Sequence, residues 1–137
     1  MSKKNLKALF SSGNDDWETP KDVYASLDKE FNFDFDPCPL KSRDDGLNMV
    51  WGNRNFVNPP YSKIALWIKK AYEEWLKGKT VVLLIPSRTD TRWFHDYILK
   101  ADEIRFIKGR LKFSGHKCGA PFPSAVIVFR GKKKGLL

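Results

Sequence analysis

The sequence predicts an α/β fold, a compact three-layer sandwich with a mostly parallel sheet and antiparallel strands at its C-terminal end. Three observations predict it. Amphipathic segments with apolar residues three and four apart alternate with short apolar runs along the earlier part of the chain. One of those runs, Val81 to Ile85, is apolar throughout between Gly78 and Pro86, as a central strand covered on both faces should be. The later part then becomes strand-rich, with runs at 104–107, 111–113 and 125–129.

The elements follow in order. Residues 1–16 are polar, carry Lys3, Lys4 and Lys7, and read as a loose basic arm. A single domain is expected over 17–130, with 131–137 as a basic tail. At its start Thr19 suits a helix N-cap, Pro20 the first helical position and Asp22 a capping acid. Val23, Leu27 and Phe31 then give a helical stripe, so a helix is expected near 21–30. Phe31 to Asp36 alternates apolar and polar residues with a period of two and predicts a strand ended by Pro37-Cys38-Pro39. A polar connection over 40–54 leads to a short strand at 55–57. Ile64, Trp67, Ile68, Ala71, Tyr72 and Trp75 mark an amphipathic helix within 62–76, which Gly78 stops. Trp93, Phe94, Tyr97 and Ile98 mark another helix. Residues 114–123 form a Gly/Pro-rich loop.

Composition narrows the function classes. The 137 residues are 42% hydrophobic and 14% aromatic, enough for one core and too few for a second domain. The net charge of +9 favours polyanions, chiefly nucleic acid. Cys38 and Cys118 do not make a disulfide framework, and His116 beside Cys118 does not make a metal site, so no metal is expected. No apolar run reaches membrane-spanning length and the start lacks a signal-like apolar stretch, which leads us to expect a cytoplasmic protein without membrane contact.

Phe56-Val57-Asn58-Pro59-Pro60-Tyr61 carries the chemistry. It reads as a strand stopping in a rigid elbow. Each proline fixes its own φ and holds the preceding residue extended, and neither has an N–H to continue a ladder. The Asn58 side-chain oxygen and the Pro59 carbonyl are then free to act as acceptors, and Tyr61 offers a flat face. Two acceptors on the two N–H bonds of a planar aromatic amine favour a pyramidal nitrogen whose lone pair leaves the ring plane. A ring stacked on Tyr61 would offset much of the cost of taking a base out of a duplex. Asp36 and Asn58 both sit at strand ends followed by proline, and parallel strands would point both into one crevice.

From Trp17 to Arg130 the chain resembles the phage-type (Dam-like) DNA N6-adenine methyltransferases. The resemblance lies in Trp17-Glu18-Thr19-Pro20, Asp36-Pro37-Cys38, Asp45-Gly46-Leu47, Asn58-Pro59-Pro60-Tyr61, and the run Ile85-Pro86-Ser87-Arg88-Thr89-Asp90-Thr91. Gly109-Arg110-Leu111-Lys112-Phe113 and Pro121-Phe122-Pro123-Ser124 complete it. It implies a Rossmann-like methyltransferase fold, S-adenosylmethionine as methyl donor, adenine N6 in DNA as acceptor, and Asn58, Pro59, Pro60 and Tyr61 as the catalytic loop. It further implies that Thr19 and Pro20 meet the methionine part of the cofactor, and that Asp36, Pro37 and Cys38 form a cofactor loop. That loop departs from larger methyltransferases, which carry a Gly-x-Gly turn there. Asp44 or Asp45 is a candidate for the cofactor ribose, and Trp17 either covers the cofactor or packs in the core. Arg88, Arg92 and Arg110, near predicted strand ends, are candidates for DNA phosphates. The elbow chemistry alone also fits an amine or amide in RNA or protein, and a non-catalytic nucleic-acid-binding module could share the fold.

Overall fold

The computed structural model describes residues 17–39, 43–113 and 119–132, without the side chains of Arg43 and Asp44. The expected arm at 1–16, His116, Cys118, the tail from 133 onward and the Asp44 carboxylate lie outside the described residues. The elements are α1 (Lys21–Phe31), β1 (Arg54–Val57), α2 (Ile64–Leu76), β2 (Thr80–Pro86), α3 (Arg92–Asp96), β3 (Glu103–Phe106) and β4 (Ser124–Phe129), with short 3₁₀ turns between several of them.

The sheet order is β1-β2-β4-β3. Phe56 stands opposite Val82 in the parallel β1–β2 ladder, and β4 runs antiparallel to both β2 and β3. The expectation of a mostly parallel sheet is thereby corrected to a mixed one. β1, β2 and β3 share a direction, yet only one ladder between named strands is parallel, because β4 inserts reversed between β2 and β3. The chain returns from β3 to β4 without a crossover helix among the described residues, and such a return gives antiparallel pairing. The expected antiparallel C-terminal strands are present.

Side chains alternate across the sheet, and the two faces bury different sets. Val57, Val81, Leu83, Ile85, Ala125, Ile127 and Phe129 join Trp67, Ile68 and Ala71 of α2 and Phe94 of α3. Phe56, Val82, Leu84, Val126 and Val128 join Leu27 and Phe31 of α1, together with Trp17, Phe113 and Phe122. Helices therefore cover both faces, which is the expected layering, and β2 is central and buried on both sides. Trp51 and Trp67 stack at 6.1 Å as packing residues. An ion network of Glu30 and Glu103 with Arg105 and Arg130 ties α1 to the far sheet edge, and both arginines lie over the Phe31 ring.

Two expected strands are not formed. The alternation at 31–36 gives one parallel bridge, Phe35 to Asn55. Helix α1 runs through Phe31, and Asn32 then takes a left-handed cap conformation (φ 53°) with its N–H on Asp28 O at 2.7 Å. Phe33 packs on the α1 face while Phe35 packs on the opposite face, so the period of two is broken between them. Asp34 fixes that switch by accepting from the backbone N–H groups of Asn53 and Arg54. The run at 111–113 also makes no ladder. Leu111 O accepts one bond, from Ala120 N, and Phe113 spends its ring on the α1-side core.

The start of α1 differs as well. Pro20 occupies the N-cap position, with no side-chain capping bond. Thr19 is not the cap, because its hydroxyl is engaged by Asn58 across the fold.

Candidate active site

The elbow follows β1 directly. Pro59 and Pro60 are buried, and Pro60 is extended (φ −66°, ψ 130°) before the chain tightens into a 3₁₀ turn at Tyr61–Lys63. The ladder stops where the prolines remove the donors.

Asn58 is oriented by neighbours from the N-terminal segment. Its Nδ2 donates to the Trp17 carbonyl and, at 3.0 Å, to Thr19 Oγ1. A carbonyl can only accept, so the nitrogen must face Trp17, and this fixes which way the carboxamide points. The carbonyl oxygen Oδ1 is then the acceptor Asn58 has left to offer.

A cavity of about 340 Å³ opens beside it, lined by Trp17, Thr19, Tyr24, Asp36, Phe56 and Asn58, with Cys38 also in its wall. The bridge between Phe35 and Asn55 is parallel, so the residues that follow each strand leave the sheet on the same side, and Asp36 and Asn58 do share one crevice. Crowding by surrounding protein raises the Asp36 carboxyl above the usual carboxylate range although part of the residue faces solvent, and the Cys38 N–H at 2.9 Å from Oδ1 offsets part of that rise. Tyr24 is also raised, first by burial and then by the charges of Asp28 and Asp36. Three aromatic rings and an acid suit a ligand combining a flat ring with a cationic group.

The Asp45-Gly46-Leu47 motif shapes this cavity from behind. A Cβ on Gly46 would lie 1.8 Å from the Pro37 carbonyl oxygen and 2.5 Å from the Trp67 ring. Its backbone oxygen accepts from Trp51 Nε1 at 2.8 Å. Glycine therefore lets this turn press on the Asp36-Pro37-Cys38 loop, a loop that has no glycine of its own. Asp45 itself is exposed and is not among the residues lining the cavity, and neither are the buried Pro20 and Pro37.

Tyr61 joins an aromatic cluster. It stacks on Trp17 at 6.4 Å and meets Phe122 edge-on at 5.0 Å, while Trp17 also meets Phe113 at 5.5 Å. Trp17 is thus a core residue that also lines the cavity. Tyr61 faces a second cavity, with Arg88 in its wall. Arg92 and Arg110 are exposed, but neither lines either cavity. Cys38 is buried and forms no disulfide among the described residues. Among the described residues no cluster of three or more His, Cys, Asp and Glu could hold a metal, and no helix is long and apolar enough to cross a membrane.

Sequence reasoning missed Tyr24 and Phe56 in the first cavity and Trp93 in the second. Tyr24 follows Pro20 by one helical turn, and that spacing was its available signal. For Trp93 the signal was its place just after the Ser87-Arg88-Thr89-Asp90-Thr91 run.

Comparison with known proteins identifies the family. The family model for DNA N-6-adenine-methyltransferase (Dam) matches residues 7–130. A DNA N-6-adenine-methyltransferase of Haemophilus phage HP1 is 30% identical over 152 aligned residues, which cover 96% of this chain and 86% of that protein. One from Escherichia phage T1 is 29% identical over 108 residues, 69% of this chain and 45% of that protein. No solved structure matches at a significant level. A family match spanning the Asn58–Tyr61 elbow and both cavities leads to one conclusion: the chain belongs to the DNA N-6-adenine-methyltransferase (Dam) family.

Proposed function

We propose that this protein transfers a methyl group from S-adenosylmethionine to N6 of adenine in DNA, on a compact Rossmann-like methyltransferase fold. The observation that carries the reading is the orientation of Asn58. Both of its N–H bonds are committed to Trp17 and Thr19, which leaves Oδ1 to accept from an incoming amine. The cofactor fits the chemistry of the first cavity. Trp17, Tyr24 and Phe56 supply aromatic walls, Asp36 supplies a carboxylate for a cationic group, and the loop through Pro37 and Cys38 closes the side. When bound, S-adenosylmethionine supplies an electrophilic methyl group. Asn58 Oδ1 and the Pro59 carbonyl hold the amine through its two hydrogens and direct the lone pair out of the purine plane. Pro59 and Pro60 keep that pair of acceptors rigid, and Tyr61 takes the ring. The amine needs no side-chain base beforehand, since it sheds its proton after the new bond forms. Arg88, Arg92 and Arg110, with the net charge of +9, supply phosphate contacts.

The test is incubation with labelled S-adenosylmethionine and DNA, followed by nucleoside analysis. N6-methyladenine is expected. Asn58→Ala should lower turnover about 100-fold or more, the scale for removing one aimed polar group from a reacting centre, while cofactor affinity stays close to normal. Turnover by the variant at the wild-type rate would refute the role of Asn58.

A further inference from the structure

We infer that Trp51 is a positioning residue for the Asp36-Pro37-Cys38 loop, holding it in shape for S-adenosylmethionine from outside the first cavity. This rests on the cofactor reading of that cavity given above and assigns what keeps a loop without glycine in its binding form.

Trp51 is buried and does not itself line the cavity. It acts through the turn in front of it. Its Nε1 donates to Gly46 O at 2.8 Å. Gly46 lies so close to the loop that a Cβ there would reach 1.8 Å from the Pro37 carbonyl oxygen. Gly52, the residue after Trp51, makes the matching approach at the other end: a Cβ on it would fall 2.5 Å from Asp34 Oδ1 and 2.7 Å from Phe35 Cβ. The 46–52 segment thus presses on the chain just before Asp36 and just after it, and the Trp51 bond ties those two contacts together. A shift of either contact moves Asp36 and Cys38. Both line the cavity, and the Cys38 N–H donates to Asp36 Oδ1 at 2.9 Å.

Trp51 is anchored in turn. Its ring stacks on Trp67 at 6.1 Å, with Lys70 Nζ 5.9 Å from the ring centre. Its carbonyl accepts from Lys79 Nζ at 2.9 Å, and the buried Glu74 holds that ammonium at 2.7 Å. The same carboxylate pairs with Lys70 at 2.8 Å. A run of bonds therefore leads from the corner between α2 and β2, through Trp51 and Gly46, to the loop. Pro37 and Pro39 fix their own φ but not the placement of the loop against the sheet. The brace supplies that placement before any ligand arrives, which lowers the cost of binding.

The experiment compares matched substitutions by calorimetric titration with S-adenosylmethionine in the absence of DNA, with urea unfolding alongside. Trp51→Phe keeps an aromatic ring and removes the N–H. Trp75→Phe removes an indole bond of the same length, Nε1 to Arg130 O at 2.8 Å, from a ring packed against the same core but away from the loop. Both variants should be less stable than wild type. Only Trp51→Phe should bind S-adenosylmethionine more weakly, by about two- to tenfold, the range for one neutral hydrogen bond. In steady-state methylation the same factor should appear in KM for S-adenosylmethionine, with KM for DNA unchanged. Should Trp51→Phe fail to fold, Lys79→Met is set against Lys77→Met. Each removes a cation from Glu74, and only Lys79→Met also takes the donor from the Trp51 carbonyl. Lys79→Met should then bind S-adenosylmethionine about twofold or more weaker than Lys77→Met. Wild-type affinity in Trp51→Phe, or equal affinity in the two lysine variants where Trp51→Phe does not fold, would overturn the role of Trp51 and leave the cofactor reading standing. A wild-type protein that takes up no S-adenosylmethionine would overturn both.

Discussion

Replacing Thr19 by valine removes one hydroxyl and keeps the branched shape of the side chain. In the structure that hydroxyl accepts from Asn58 Nδ2 at 3.0 Å, and the Trp17 carbonyl accepts from the same nitrogen. A neutral hydrogen bond of this kind contributes about 0.5–1.5 kcal/mol net. The Trp17 bond survives the substitution, so the carboxamide is loosened rather than released. If the whole loss falls on the transition state, kcat drops about two- to tenfold. KM for DNA and for S-adenosylmethionine should barely move if the hydroxyl, although Thr19 lines the first cavity, acts by holding Asn58. The assay is steady-state methylation with each substrate varied in turn, and Thr19→Ser should restore kcat by returning the oxygen. An unchanged kcat with a raised KM for S-adenosylmethionine would refute the reasoning, since it would make Thr19 the cofactor contact that the family resemblance implies.

Two further substitutions probe the frame around the site. Gly46→Ala places a Cβ 1.8 Å from the Pro37 carbonyl oxygen, so the loop carrying Asp36 and Cys38 must move; we expect a stability loss of about 1–3 kcal/mol by urea unfolding and weaker cofactor binding by titration. Glu74 is buried among Lys70, Lys77 and Lys79 where α2 hands over to β2. Desolvation alone would raise its pKa, but hydrogen bonds from Lys70 and Lys79 more than reverse this and hold it down to about 2, below the ordinary 4.5. Its carboxylate therefore stabilises the fold fully above pH 4.5, and that stability is lost as pH falls from there toward 2. Glu74→Gln should be less stable by roughly 2–3 kcal/mol at neutral pH, with the gap narrowing in acid; equal gaps at pH 7 and pH 3 in denaturant titrations would contradict this.

Much of the fold was legible because burial leaves a local trace. The apolar run at 81–85 marked the central strand, and the three-and-four spacing from Ile64 to Trp75 marked α2. The elbow was legible for a different reason: proline restricts the backbone whatever surrounds it. What escaped depended on partners distant in sequence. The alternation of 31–36 promised a strand, yet the Asn32 cap and the Asp34 bonds to residues 53 and 54 turn the chain between faces. Thr19 had the residue type of a cap, but a carboxamide almost forty positions downstream takes its hydroxyl. The reversed position of β4 is likewise a choice between sheet edges that no short window encodes. Asp45-Gly46-Leu47 drew attention to its acid, whereas the packing singles out its glycine.

The hold of Trp17 on Asn58 bears on how the enzyme comes into being. Trp17 is seated by Phe113 and Phe122, so the strap that orients the carboxamide has no cradle until Phe122 has been made. A nascent chain on the ribosome carries the whole elbow early, yet it lacks the ring that steadies it. Maturation of the centre is thereby tied to synthesis through Phe122, and a product ending before it would lack the seated Trp17 that orients Asn58.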